Sequence, residues 1–232
     1  MLSLLEKGLN AESLYLIFPD SSQLFLNREH IKNATERYWQ DPAKIPEHVR
    51  AAIDFQRCAR CPMSSDKTIC DALRPLLPLL DYIDKFSSTD QVQVFYGNVE
   101  PGVFQIALTN MQTALSYVSL LSLIYYCQAG RKYRKYYYGI SPLSTSTTVA
   151  SRLYMNIFWL HHGNKQAIAQ VVSDFGQMML ALCENQVKRL NLICQNDALN
   201  NSIVNAHVAT SLLSFSMDKQ LQGAFDVFEK AS

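Results

Sequence analysis

Leu14-Tyr-Leu-Ile-Phe18, Pro19-Asp-Ser-Ser22 and Gln23-Leu-Phe-Leu26 set a turn-forming cluster between two β-rich runs. That pattern predicts a β-hairpin. Two further runs, Val92-Gln-Val-Phe-Tyr96 and Val103-Phe-Gln-Ile-Ala107, are joined through Asn98, Pro101 and Gly102 and read as another strand pair. Together they predict an antiparallel sheet of four or five strands, the fifth candidate being Ala52 to Arg57. Between them, Asn33 to Pro46 carries Asn, Asp and two prolines around Tyr38 and Trp39, and reads as an irregular connection with at most one helical turn. Asp71 to Phe86 spaces Leu73, Leu76, Leu77, Leu80 and Ile83 at three and four residues, an amphipathic helix that Pro75 and Pro78 delay or kink.

From Thr109 onward the hydrophobic period becomes helical and stays so. The longest pattern, Ile168, Val171, Val172, Phe175, Met179, Leu182, Val187, Leu190, Ile193 and Cys194, holds one apolar stripe for about seven turns. Strands gathered first and helices later predict an α+β fold: a β-rich, cysteine-bearing region over 1–108 and a helical region over 109–232, sharing one core. A stripe this long can also serve a homodimer.

The chain has 232 residues, 48% hydrophobic and 18% charged, with only 8 Gly and 8 Pro, which excludes disordered, collagen-like and low-complexity classes. Its 21 basic and 20 acidic side chains leave a net charge of +1, so no global field gathers nucleic acid or anionic membrane. No charged residue lies between Glu100 and Arg131. Asn110, Gln112, Thr113 and a polar stripe of Ser116, Ser119 and Ser122 dilute that run, which therefore reads as a buried helix rather than a membrane span. Glu6 and Lys7 interrupt the apolar start Met1 to Leu9, unlike a secretory signal, so a cytoplasmic, reducing setting is expected.

In that setting, clustered cysteines mean metal or thiol chemistry before they mean cystine. Cys58-Ala-Arg-Cys61 can wrap a cation in a tight knuckle, and Cys70, nine positions on, can close over it. A sulfur-rich tetrahedral site predicts structural zinc. The fourth ligand is open. His48, ten residues before Cys58, is the first candidate, with His30, Cys127 and the pair His161 and His162 as the others. Three other readings stand beside zinc: a dithiol redox centre at Cys58 and Cys61, an iron–sulfur cluster, and unliganded cysteines packed as weakly polar side chains.

The run Cys58-x-x-Cys61-Pro62, Cys70-x-Ala72, Pro78-Leu-Leu80, Phe86-Ser87-Ser88 and Val92-x-Val94 resembles the amino-terminal part of an uncharacterised bacterial family in which CxxCP and CPA motifs precede a helix and a strand. Ser119-Leu-Leu-Ser-Leu-Ile124 and Asp197-x-x-x-Asn201-Ser-Ile-Val-Asn205-Ala206 resemble its helical part. The likeness covers residues 45–215 and implies a bacterial, cysteine-bearing α+β protein. It transfers no catalytic residues. Asp71 stands where the family has Pro, and Gly130-Arg-Lys-Tyr-Arg-Lys-Tyr-Tyr-Tyr138 replaces its second Cys-Pro pair and Arg-Pro pair.

Arg131, Lys132, Arg134 and Lys135 interleave with tyrosines, which offers an anion or partner patch or, more plainly, a solvated helix end. His161 and His162 precede Gly163, the pattern of a helix C-cap, and Ser144 or Thr145 suits an N-cap. There is no GxSxG, phosphate loop, dinucleotide turn or HExxH. The expectation is therefore a binding or regulatory module held by structural zinc, with a metal enzyme that keeps an open position, or a thiol sensor, as rivals.

Overall fold

The computed structural model describes residues 12–41, 43, 45–54, 58–62, 70–80, 82, 84–98 and 103–213. The hairpin forms: β1 (Ser13–Ile17) pairs antiparallel with β2 (Gln23–Asn27), in the register Ile17↔Gln23. Its turn is held by Phe18 N–H donating to Ser22 O at 2.9 Å and Ser22 N–H to Asp20 Oδ1 at 2.9 Å. β3 (Gln91–Asn98) lies on the other side of β1 and pairs with β4 (Val103–Asn110), so the four-stranded antiparallel sheet runs β2-β1-β3-β4. Alternation puts Leu14, Leu16, Leu26, Val92, Val94 and Tyr96 on the buried face. The other face of the edge strand β4 shows Phe104, Ile106 and Leu108 to solvent.

Three sequence expectations for the first half need correction. The connection after β2 is a full helix, α1 (Arg28–Gln40), started by Asn27, whose Oδ1 accepts the His30 amide at 2.8 Å. Among its described side chains only Ile31 and Thr35, one turn apart, are buried, so its apolar stripe is too thin to stand out in the sequence. Residues 52–54 belong to α2 (Glu47–Asp54), not to a strand; Val49 and Ala52 are buried three residues apart, a helical spacing. Residues 55–57 lie outside the described part. Finally, Asp71–Leu79 is a 3₁₀ helix, because Pro75 and Pro78 remove amides an α-helix needs.

The helical half begins with α3 (Met111–Ala114) and α4 (Ser116–Leu120) and continues as a π segment, Leu121–Tyr126. Its serine stripe joins elements. Ser119 Oγ lies 2.6 Å from Ser202 Oγ, and Ser122 Oγ donates to Ala72 O at 2.7 Å, so both buried hydroxyls are satisfied. A 3₁₀ helix, Gly130–Tyr137, follows, then α5 (Ser146–Leu160), α6 (Lys165–Ile193) and α7, helical over 198–213. As expected, Thr145 N-caps α5, and positive φ at His162 and Gly163 ends it. α6 buries the long stripe, with Phe175 stacked on Tyr133 at 4.5 Å between centroids. One hydrophobic cluster runs from Leu14 in the sheet to Leu213 in α7, so both halves share a core. No helix among the described residues is long and apolar enough to cross a membrane.

Candidate functional site

Cys58, Cys61 and Cys70 line one small cavity, of about 20 Å³, and Cys127 joins them from the end of the π segment. The remaining wall includes Asp71, Gln128, Gln186 and Arg189. Each cysteine is placed by local backbone geometry. A tight turn sets Cys58 and Cys61, with Cys61 N–H donating to Cys58 O at 3.0 Å. Arg60, inside that turn, donates from Nη2 to Gln177 Oε1 at 2.7 Å and ties it to α6. Cys70 opens the proline-bearing 3₁₀ helix, its carbonyl accepting the Leu73 amide at 3.0 Å. Cys127 sits in the corner between the π segment and the next 3₁₀ helix, where its N–H donates to Ser122 O at 3.1 Å.

Backbone amides aim at two of the sulfurs. The Arg60 amide lies toward the Cys58 sulfur, and the Gly130 and Ala129 amides toward that of Cys127. Amides so placed favour the thiolate. Burial acts in the opposite direction and is larger. It raises the Cys58 thiol above its ordinary value, with the neighbouring Cys61 and Cys70 adding to the rise and the Arg189 guanidinium opposing it. It pushes Cys127 up to about 11. Arg189 is a buried cation from α6 that faces these sulfurs. Asp71 is engaged elsewhere, paired with Arg74 at 2.9 Å and accepting from Gln128 at 3.0 Å.

A cavity this small takes one water-sized body, for which about 10–15 Å³ suffices. As arranged, no group of three or more His, Cys, Asp or Glu side chains among the described residues is set to hold a metal ion. Of the other ligand candidates, His30 is exposed and contacts Asn27 and Phe25, and His161 Nε2 lies 2.9 Å from Tyr136 OH. His162 is the exposed residue that turns the chain after α5. The His48 side chain lies outside the described residues, although its backbone belongs to α2.

Arg131, Lys132, Arg134 and Lys135 are exposed on the second 3₁₀ helix, while Tyr133, Tyr136 and Tyr137 point into the core. Lys132 and Lys135 lie over the Tyr133 and Tyr136 rings at 4.8 and 5.0 Å, and Arg134 lies over Tyr125 at 4.8 Å. Among the tyrosines of this segment, only Tyr138 offers an exposed ring for stacking.

A second, larger concavity has no counterpart among the sequence expectations. It measures about 360 Å³ and lies between the end of β4, α3, α4, the loop 140–145, the start of α5 and one face of α7. Among the described residues its polar lining consists of hydroxyls and one amide side chain, Asn205, with no Asp, Glu, Lys, Arg or His. The serine- and threonine-rich stretch Ser141 to Thr148 is its visible signal in the sequence, where it reads only as a helix cap. The sequence matches no family model, and neither a curated protein nor a solved structure with significant similarity is found.

Proposed function

We propose that this protein is a binding module whose fold is knotted by a structural zinc ion on Cys58, Cys61, Cys70 and Cys127. The observation behind the reading is that Cys58, Cys61, Cys70 and Cys127, from three separate segments, all line one small cavity, so a modest rearrangement of their side chains would bring four sulfurs to one ion. Cys127 takes the place that spacing alone offered first to His48. Zinc suits four sulfur donors, and bound there it would keep the thiolates deprotonated and tie the 58–61 turn to the π segment. The buried Arg189 cation would offset part of the negative charge of four thiolates around one divalent ion.

A closed site is favoured over an open catalytic one because four thiolates would fill all four positions of a tetrahedral ion. It is favoured over a Cys58–Cys61 redox pair because the Cys58 thiol, raised by burial, is a poor nucleophile at neutral pH. Six free cysteines suit a reducing, cytoplasmic setting.

The test is elemental analysis of the purified chain and of two variants. About one zinc per chain is expected, retained in Cys183→Ala and lost in Cys127→Ala, with a lowered melting temperature in the latter. A folded, metal-free wild type, or full zinc in Cys127→Ala, would contradict the assignment.

A further inference from the structure

The larger concavity has the features of a ligand site, and its chemistry narrows the ligand. A volume of about 360 Å³ falls within the roughly 300–1,000 Å³ range of small-molecule pockets. At about 30 Å³ per liquid water it would hold around a dozen waters, or an organic molecule of comparable bulk. The lining combines apolar and polar groups. Leu123, Met179 and Ala206 are among its apolar residues, contributed by the π segment, α6 and α7. Thr109, Thr113, Ser144 and Asn205 supply polar groups from four different places in the chain.

These four side chains have hydrogen-bonding capacity to spare. The Thr113 backbone amide is occupied by Asn110 Oδ1 at 3.0 Å, but among the described residues no hydrogen bond is made by its hydroxyl, nor by the side chains of Thr109, Ser144 or Asn205. Neighbouring hydroxyls are already used: Ser202 Oγ donates to Leu199 O at 2.7 Å, and Thr145 Oγ1 caps α5 by accepting the Thr148 amide at 3.3 Å. The start of α5 is thus capped from within rather than left open to an anion.

Among the described residues an ion would find no counter-charge in this lining. Desolvating an unpaired charge is strongly unfavourable, whereas hydroxyls and a carboxamide satisfy a carbonyl or hydroxyl in either donor or acceptor sense. We infer that this cavity binds an uncharged small molecule with an apolar body and one or two carbonyl or hydroxyl groups, the body lying against Leu123, Met179 and Ala206 and the polar groups meeting Thr109, Thr113, Ser144 and Asn205. The inference extends the binding-module reading but does not depend on zinc, since none of the four cysteines lines this cavity.

The experiment uses two fluorescent probes of similar size on the full chain. One is 6-propionyl-2-dimethylaminonaphthalene, which is neutral and carries one carbonyl; the other is 5-dimethylaminonaphthalene-1-sulfonate, its anionic counterpart. The neutral probe is expected to bind saturably, one per chain, with blue-shifted emission, and the sulfonate at least tenfold more weakly. Ala206→Phe and Val149→Phe, which fill the cavity from α7 and α5, should each weaken the neutral probe at least tenfold. Thr113→Val should weaken it severalfold and shift its emission further to the blue. Zinc content should stay the same in all three variants, whereas Cys127→Ala changes the metal, so failure of this site and failure of the metal reading are separate results. The inference is overturned if the neutral probe shows no saturable binding, if the sulfonate binds equally well, or if both folded cavity-filling variants bind like wild type.

Discussion

Replacing Gly130 with alanine tests the corner that presents Cys127. A Cβ at this position would lie 1.8 Å from the Leu123 carbonyl oxygen, 2.9 Å from its carbon and 3.4 Å from Leu182 Cδ1. The first two atoms are backbone of the π segment, so neither can swing away as a flexible side chain would. Relief requires moving the π segment or the 3₁₀ helix that Gly130 opens, and the Gly130 amide that now meets the Cys127 sulfur moves with it. Overpacking of a well-filled interior costs about 1–3 kcal/mol, and this contact belongs at or above the top of that range. For a chain of this size each kcal/mol lowers Tm by about 2–4 °C, so a loss of about 3 kcal/mol appears as roughly 6–12 °C. Gly139→Ala is the control. Its φ is +70°, but nothing lies within 4 Å of the added Cβ, and only the left-handed conformation opposes alanine, by about 1–2 kcal/mol. Urea unfolding followed by circular dichroism, with zinc content measured alongside, should rank Gly130→Ala as the more damaging, with metal lost only there. Equal stabilities for the two variants, or full zinc in Gly130→Ala, would refute the reasoning.

Ser119→Ala and Ser202→Ala should each destabilise by about 1–2 kcal/mol, because each strands part of a fully buried hydroxyl pair 2.6 Å apart. The double variant should lose less than the sum of the two, and a double-mutant cycle in urea reads the coupling. Once a chelator has stripped the zinc from the purified protein, the chain that stays folded should be sensitive to alkali. Burial holds Cys127 up to about 11 and Cys183 up to about 12, against an ordinary 9.0, so the folded state keeps protons that the unfolded chain releases. Stability should therefore be level with respect to these thiols below pH 9 and fall as pH rises through 11 and 12, and Cys183→Ala should remove part of that fall.

Elements whose signal is local can be read directly from the sequence. The hairpin shows in the β-rich runs on either side of Pro19-Asp-Ser-Ser22, and the helical half shows in the change of period near Thr109. α1 and α2 are hidden because each buries few apolar residues, and the neighbouring prolines, Pro42 and Pro46, suggest a break. The 3₁₀ helix at Asp71 carries a genuine helical stripe, but its prolines decide the geometry. At the cysteine site, three members are close in sequence and stand out together. Cys127 lies 57 residues beyond Cys70, and only folding of the π segment beside Ala72 brings it near. The signal that could find it is the glycine three residues later, since a cysteine followed by Ala129-Gly130 can receive two backbone amides. The larger cavity gathers residues scattered from Thr109 to Ala209, each with an ordinary local role, so no window of sequence contains it.

X-ray absorption at the zinc edge on the natively purified chain addresses the central claim most directly. A shell of four sulfurs at about 2.3 Å, with no nitrogen or oxygen scatterer, is the result this account predicts. Zinc bound through a mixed shell with only two or three sulfurs, or a folded chain with no zinc at all, would contradict it.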